Sequence, residues 1–196
     1  MSNVPPLRTG NDRKPPPGEL ALLQAFVNTN EPDDDVPVED FTDPQAVERW
    51  LVHYELMAKP DDPLTQADFD HVVRFREALR TILIAKNGGP EDPSAVDHLN
   101  AASRSAELLI KFDAAGEARL SPVRRGPDEA IARLLAIVQR AQISGTWDRL
   151  KGCPDDGCGW IFYDQSKNRS ATWCSMETCG NRAKARAYRE RHRAAH

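Results

Sequence analysis

Cys153-Pro-Asp-Asp-Gly-Cys158, fifteen intervening residues, then Cys174-Ser-Met-Glu-Thr-Cys179: this stretch holds all four cysteines of the 196-residue chain. Each close pair can bend into a turn that aims two thiolates at one point. Two pairs joined by a loop of this length suit a tetrahedral zinc site. Trp160-Ile161-Phe162-Tyr163, between them, has the composition of a strand that returns the second pair to the first. With Cys153, Cys158, Cys174 and Cys179 as ligands all four positions are filled, so the expected role is one structural Zn2+. Two disulfides or redox-active thiols are the competing reading, and they belong to an oxidising compartment. A module of this size with few large apolar side chains is small for independent folding, so metal binding is expected to supply part of its stability. Trp147, Trp160, Ile161, Phe162, Tyr163 and Trp173 would form its modest core, or the aromatics would stack on nucleic-acid bases.

Immediately after Cys179 come Gly180-Asn181-Arg182 and a basic tail with six Lys/Arg against a single Glu from Gly180 onward. Its alanines and arginines favour a helix, with Asn181 as the candidate N-cap. At about 100° per residue, Arg182, Arg186, Arg189 and Arg193 fall within roughly 60° of one another. Lys184 and Arg191 lie on the opposite side, and Ala183, Ala187 and Ala194 form a stripe able to pack on the finger. Uncompensated charge of this density suits a phosphate backbone, which makes these six cations candidate nucleic-acid contacts. A solvated helix or an acidic protein partner are the alternatives. Arg182 has a second reading, as the neutraliser of the anionic zinc–thiolate centre.

Upstream the charge reverses. Residues 1–150 carry 17 basic and 25 acidic side chains, whereas 151–196 carry 9 and 5. The fold class expected is mainly α: a helical N-terminal domain with a small β-hairpin, then the small four-cysteine finger with its basic helix. The boundaries fall at 1–17 (disordered proline-rich arm), 18–146 (helical domain) and 147–196 (finger). Glu19–Asn28 has helical spacing, with a strand as the alternative for so short a run. Thr42 and Gln45 fit a capping box opening a helix to about Met57. Thr65 caps a longer one whose Phe69, Val72, Val73, Leu79, Ile82 and Leu83 recur at three- and four-residue spacing. A further helix from about Ser94 should bury Val96 and Leu99. Glu107–Phe112 and Glu117–Val123 flank a glycine turn, as in a hairpin, and Pro127 opens the last long helix of the body.

Several function classes drop out. The apolar runs are too short to span a bilayer. The first nineteen residues hold five prolines and no apolar segment of the signal-peptide kind, so a cytoplasmic location is expected. No glycine-rich phosphate loop and no His-Glu-x-x-His pattern occurs, and the body contains no cysteine nucleophile, so no enzyme is expected. Asp33-Asp34-Asp35 is a solvated acidic loop or, less fittingly, a cation site. His71 beside an apolar stripe reads as a packed side chain.

The pair of cysteines with four residues between them, a strand ending in Phe162-x-Asp164, and Trp173-Cys-Ser-Met-x-x-Cys-Gly-Asn-Arg182 resemble the bacterial CGNR zinc finger, as does the continuation Ala183–Arg191. The body is similar to that finger's usual partner, the ABATE domain. The supporting strings are Leu20–Asn30 with Phe26-Val27-Asn28-Thr29, Val47–Leu51 with Trp50, and Phe75-Arg76-Glu77-Ala78-Leu79-Arg80. The resemblance spans about residues 18–190. It implies a stress-induced transcriptional regulator with a mostly helical N-terminal domain and a zinc-bound, DNA-binding finger. Asn28 could cap a helix or bond a buried turn. Arg76 and Arg80, one turn apart, could clamp an anionic ligand or form internal salt bridges.

Three functions compete on this sequence: a DNA-binding regulator whose body senses a small-molecule effector or forms a homodimer, an RNA-binding or protein-interaction zinc module, and an enzyme with an unrecognised site in the body. Strong preference for one duplex sequence separates the first from the second. A pocket with convergent polar groups would favour the third.

Overall fold

The computed structural model describes residues 4–8, 15–31 and 37–193. The Asp33-Asp34-Asp35 run lies outside them, as does Ala194. The segment after Glu19 is a helix rather than a strand: α1 (Leu20–Val27) buries Leu20, Leu23, Phe26 and Val27. Two short strands, β1 (Asn30–Glu31) and β2 (Val38–Glu39), then pair antiparallel; they are too short for any sequence period to announce. Helix α2 (Pro44–His53) is capped by Asp43, whose carboxylate accepts the Ala46 N–H at 2.7 Å, and not by Thr42. With Pro44 at the first helical position, Asp43 is the residue in extended conformation that can reach back. The helix also stops short of Met57: Glu55 turns left-handed at φ 56°, and the Leu56 N–H bonds the Leu51 carbonyl at 2.9 Å, closing the end.

Thr65 and Asp68 form a reciprocal capping box that opens α3 (Gln66–Ala85). Its buried face holds Val72, Phe75, Ala78, Leu79 and Leu83, and also Arg76 and Arg80. Helix α4 (Pro93–Ala106) is capped by Asp92 and turns Ala95, Ala102 and Ala106 inward. Val96, expected in the core, is exposed, because the small alanines let α4 approach α3 and α5 on the other face. Strands β3 (Leu108–Phe112) and β4 (Ala118–Pro122) form the expected hairpin, with Ile110 opposite Leu120 and Asp113 accepting the Ala115 and Glu117 N–H groups in the turn. Helix α5 (Pro127–Ile143) packs against α1, α3 and α4. At the centre Phe26 meets Phe41, Trp50 and Phe75, with ring centroids 6.0, 5.8 and 6.1 Å away. Truncating such a ring costs about 3–5 kcal/mol.

The core does not stop at residue 147. After a 3-10 turn at Trp147–Arg149, strands β5 (Leu150–Gly152) and β6 (Ile161–Tyr163) pair antiparallel. Trp147, Leu150 and Ile161 belong to the same buried cluster as α1, α3 and α5. Strand alternation explains this: Ile161 and Tyr163 face the body while Phe162 faces the cysteines. Polar contacts stitch the seam. Asn28 donates to the Ile161 carbonyl at 2.8 Å and accepts its N–H at 2.9 Å, and Gln24 donates to the same carbonyl at 2.9 Å. Gly152 is required here, since a Cβ would lie 2.7 Å from the backbone nitrogen of Ile84.

Arg76 and Arg80 act within the molecule. Arg76 makes two 2.7 Å bonds to the Glu39 carboxylate and one of 2.7 Å to Glu77. Arg80 donates to the carbonyls of Val27 at 2.6 Å, Asn30 at 2.9 Å and Gly159 at 2.8 Å. The internal alternative therefore accounts for both. Part of the proline-rich arm is also held: Val4 packs on the core, Tyr54 Oη donates to the Pro5 carbonyl at 2.7 Å, and Arg8 pairs with Asp40 at 2.9 Å. A π turn (Met176–Gly180) that carries Cys179 runs directly into α6 (Asn181–Arg193). Among the described residues no helix is long and apolar enough to cross a membrane.

Candidate metal centre and basic helix

Strand β5 delivers Cys153 and β6 begins just after Cys158, so the first cysteine pair closes a loop at the end of a hairpin. The Cys153 N–H bonds the Trp160 carbonyl at 2.9 Å and the Cys158 N–H bonds the Asp155 carbonyl at 3.0 Å. The second pair is shaped by Ser175, whose hydroxyl accepts the Thr178 N–H at 3.3 Å while its carbonyl accepts the Gly180 N–H at 3.0 Å. The four Sγ atoms lie within 4.8 Å of one another, with Cys158–Cys174 at 3.6 Å and Cys174–Cys179 at 3.5 Å. A tetrahedron with Zn–S of about 2.3 Å has sulfur–sulfur edges of about 3.8 Å. The cage therefore has the size of a ZnS4 centre, and its donor set is that of a structural site.

Electrostatics agree with that chemistry. Hydrogen bonds from Cys158 and Cys174 hold the Cys153 thiol far below its ordinary range, while those two thiols are pushed up by sharing with Cys153. Burial pushes Cys179 up as well. Thiols this close cannot all ionise on their own; a divalent cation supplies the charge that four thiolates need. Phe162, Trp160, Ala171 and Trp173 pack around the sulfurs, so these aromatics serve the finger's own small core.

Each residue of the Cys179–Arg182 signature has a distinct part. Cys179 brings the fourth sulfur. Gly180 leaves room for Met176 and Trp173, whose atoms would lie 2.6 and 3.2 Å from a Cβ there. Asn181 donates to the Glu177 carbonyl at 2.9 Å; it is not the helix N-cap, because the backbone is already helical and Ser175 caps the preceding turn. Arg182 donates to the Cys179 sulfur at 3.3 Å and pairs through Nε with Asp155 Oδ2 at 2.7 Å. Arg186 pairs with the other oxygen of the same carboxylate.

Asp155 is thus the socket on which α6 is seated. It lies inside the first cysteine loop with its side chain fully buried. Its role escaped the sequence, where it is one of two adjacent acids; the only signal is a carboxylate in a ligand loop facing an arginine-rich helix. Asp164 is also buried, accepting Lys151 Nζ at 2.7 Å and the N–H groups of Ser166 at 2.9 Å and Ala171 at 3.0 Å. It shapes the loop between the two cysteine pairs.

Of the six basic residues singled out in the sequence, the structure puts Arg182 and Arg186 half-buried against Asp155 and leaves Lys184, Arg189, Arg191 and Arg193 exposed. Ala183 and Ala187 are half-buried on the finger side.

A search of curated proteins finds no match to this chain. Residues 149–192 match the CGNR zinc finger. Residues 20–144 match ABATE, described as "Putative stress-induced transcription regulator". The two matches meet at the seam between α5 and β5, and together they assign the chain to the ABATE family, with a CGNR zinc finger at its C-terminal end.

Proposed function

We propose that the chain is a zinc-dependent DNA-binding transcriptional regulator, in which α6 meets the duplex and the helical body senses an effector or forms a homodimer. One observation carries this reading: a helix with four exposed cations is seated, through Arg182 and Arg186, on the loop of a four-thiol centre. Cys153, Cys158, Cys174 and Cys179 would hold the ion, which supplies a fixed tetrahedral anchor and no redox chemistry. Arg182, Lys184, Arg186, Arg189, Arg191 and Arg193 together give the helix its field, and phosphates answer it. The family's description as a transcription regulator supports DNA as the polyanion.

The test is selection of bound DNA from a random duplex pool with the full, zinc-loaded chain. A regulator enriches one sequence and binds it about 1,000-fold or more tighter than scrambled duplex. Equal affinity for selected and scrambled duplex, or tighter binding to single-stranded RNA, would put the RNA-binding or protein-interaction module in its place.

A further inference from the structure

The proposed reading leaves open which side of α6 touches DNA, and the seating on Asp155 divides the helix into two faces. Arg182 and Arg186 point at the buried Asp155 carboxylate, and Ala183 and Ala187 lie half-buried beside them. At about 100° per residue the opposite side carries Lys184, Tyr188, Arg191 and His192 within an arc of roughly 100°. All four are exposed. The only acid on the helix, Glu190, projects away from this arc, so the outward face carries two cations and no carboxylate.

A second, independent feature lies on the same face. Tyr188 and His192, one turn apart, stack with ring centroids 3.9 Å apart, and His192 Nδ1 lies 3.0 Å from the Tyr188 carbonyl. Tyr188 is 57% exposed, so its ring lies outside the buried core. The two rings, inclined at 32°, form one exposed aromatic edge that presents a phenol and an imidazole beside Lys184 and Arg191. Hydrogen-bonding and apolar contact of this kind is what base edges and thymine methyl groups accept in the major groove.

Resting on the reading of the chain as a DNA-binding regulator, we infer that the duplex lies against the outward face of α6, with Lys184 and Arg191 on phosphates and the Tyr188–His192 pair on base edges. Arg182 and Arg186 are then positioning residues that set the angle of the helix through Asp155. The arginine stripe inferred from spacing alone faces the finger for its first two members, and only Arg189 and Arg193 extend beyond it.

Fluorescence anisotropy with the full zinc-loaded chain decides this, on the selected duplex and a scrambled one, across a salt series. Zinc content is measured for each variant. Lys184→Ala/Arg191→Ala should flatten the slope of log K against log salt by about two units on both duplexes, at about 0.9 per phosphate. Arg189→Ala/Arg193→Ala should flatten the slope by less than half as much, because these two add to the field of the helix without lying on its outward face. Tyr188→Phe and Tyr188→Ala should keep the slope, and Tyr188→Ala should reduce preference for the selected duplex by about 10-fold or more. If the slope instead flattens with Arg189→Ala/Arg193→Ala and not with Lys184→Ala/Arg191→Ala, this inference fails while the regulator reading stands. If the unmodified chain does not distinguish the two duplexes, the regulator reading itself fails, and the inference with it.

Discussion

In the helical body, Phe26 and Trp50 each touch three other aromatic rings, and the buried cluster draws apolar side chains from every long helix. In the finger, the buried cluster around the sulfurs is Cys153, Phe162 and Cys179, with four partly buried neighbours besides Cys158. The body is therefore held by area removed from water, in proportion to its size. The finger has one fully buried ring of its own, and depends on a metal at one end and on the body at the other. The seam between them makes the contrast useful: β6 gives alternate residues to each region, so the hydrophobic core and the sulfur cage share a strand three residues long.

Breaking the finger should show how much of the body comes with it. Chelation of zinc, or Cys174→Ser, is expected to release α6 and the two cysteine loops, and to lower the melting temperature of the remaining helices by about 10 °C. That figure takes roughly 3 kcal/mol for the seam and 2–4 °C for each kcal/mol in a chain of this size. Circular dichroism at 222 nm should show a small loss of helix at 25 °C and the earlier melt, and hydrogen exchange should rise at Leu150–Gly152 and Ile161–Tyr163. An unchanged melting temperature would make the two regions independent despite their shared strand.

Cutting the seam from the body's side is a milder perturbation. Asn28→Ala removes the acceptor for the buried Ile161 N–H, while Gln24 still serves the Ile161 carbonyl. An orphaned buried donor costs about 1–3 kcal/mol. Denaturant unfolding measured with and without chelator should then show that the variant costs less when the finger has already been released. Equal cost in both conditions would place the role of Asn28 inside α1 alone.

The smallest expected effect sharpens the comparison within the finger. Arg182→Ala deletes the hydrogen bond to the Cys179 sulfur and half of the Asp155 pairing. Groups that support metal ligands from outside typically contribute about 10-fold or more in affinity. Competition with a chromophoric chelator should therefore show zinc bound about 10-fold more weakly, while Arg189→Ala retains it. Equal retention by the two variants would confine Arg182 to seating the helix.

Local rules account for most of what was legible beforehand. Thr65 and the stripe down α3, the glycine turn between β3 and β4, and Pro127 at the start of α5 each depend on residues within a few positions, so sequence order carries them. The four cysteines were legible because paired spacing is itself the mechanism. Where two local candidates competed, context chose: Asp43 over Thr42, and alanines over Val96 on α4. Strands β1 and β2 left no trace, because two residues have no period.

The sequence by itself determined the helices, the hairpin, the four-thiol set and the presence of a basic tail, since all of these arise from spacing along the chain. Only the tertiary structure decided what those parts face. Arg76 meets Glu39 and Arg80 meets Gly159; Asn28 meets Ile161 across 133 positions, and Arg186 meets Asp155 across 31. A buried charge or amide must find its partner wherever the fold delivers one, because leaving it unpaired away from water costs more than any local preference. The seating of α6 follows from that rule. Its arginine spacing was legible in the sequence, but a carboxylate buried in the cysteine loop turned two of those arginines inward and left the opposite face to the solvent.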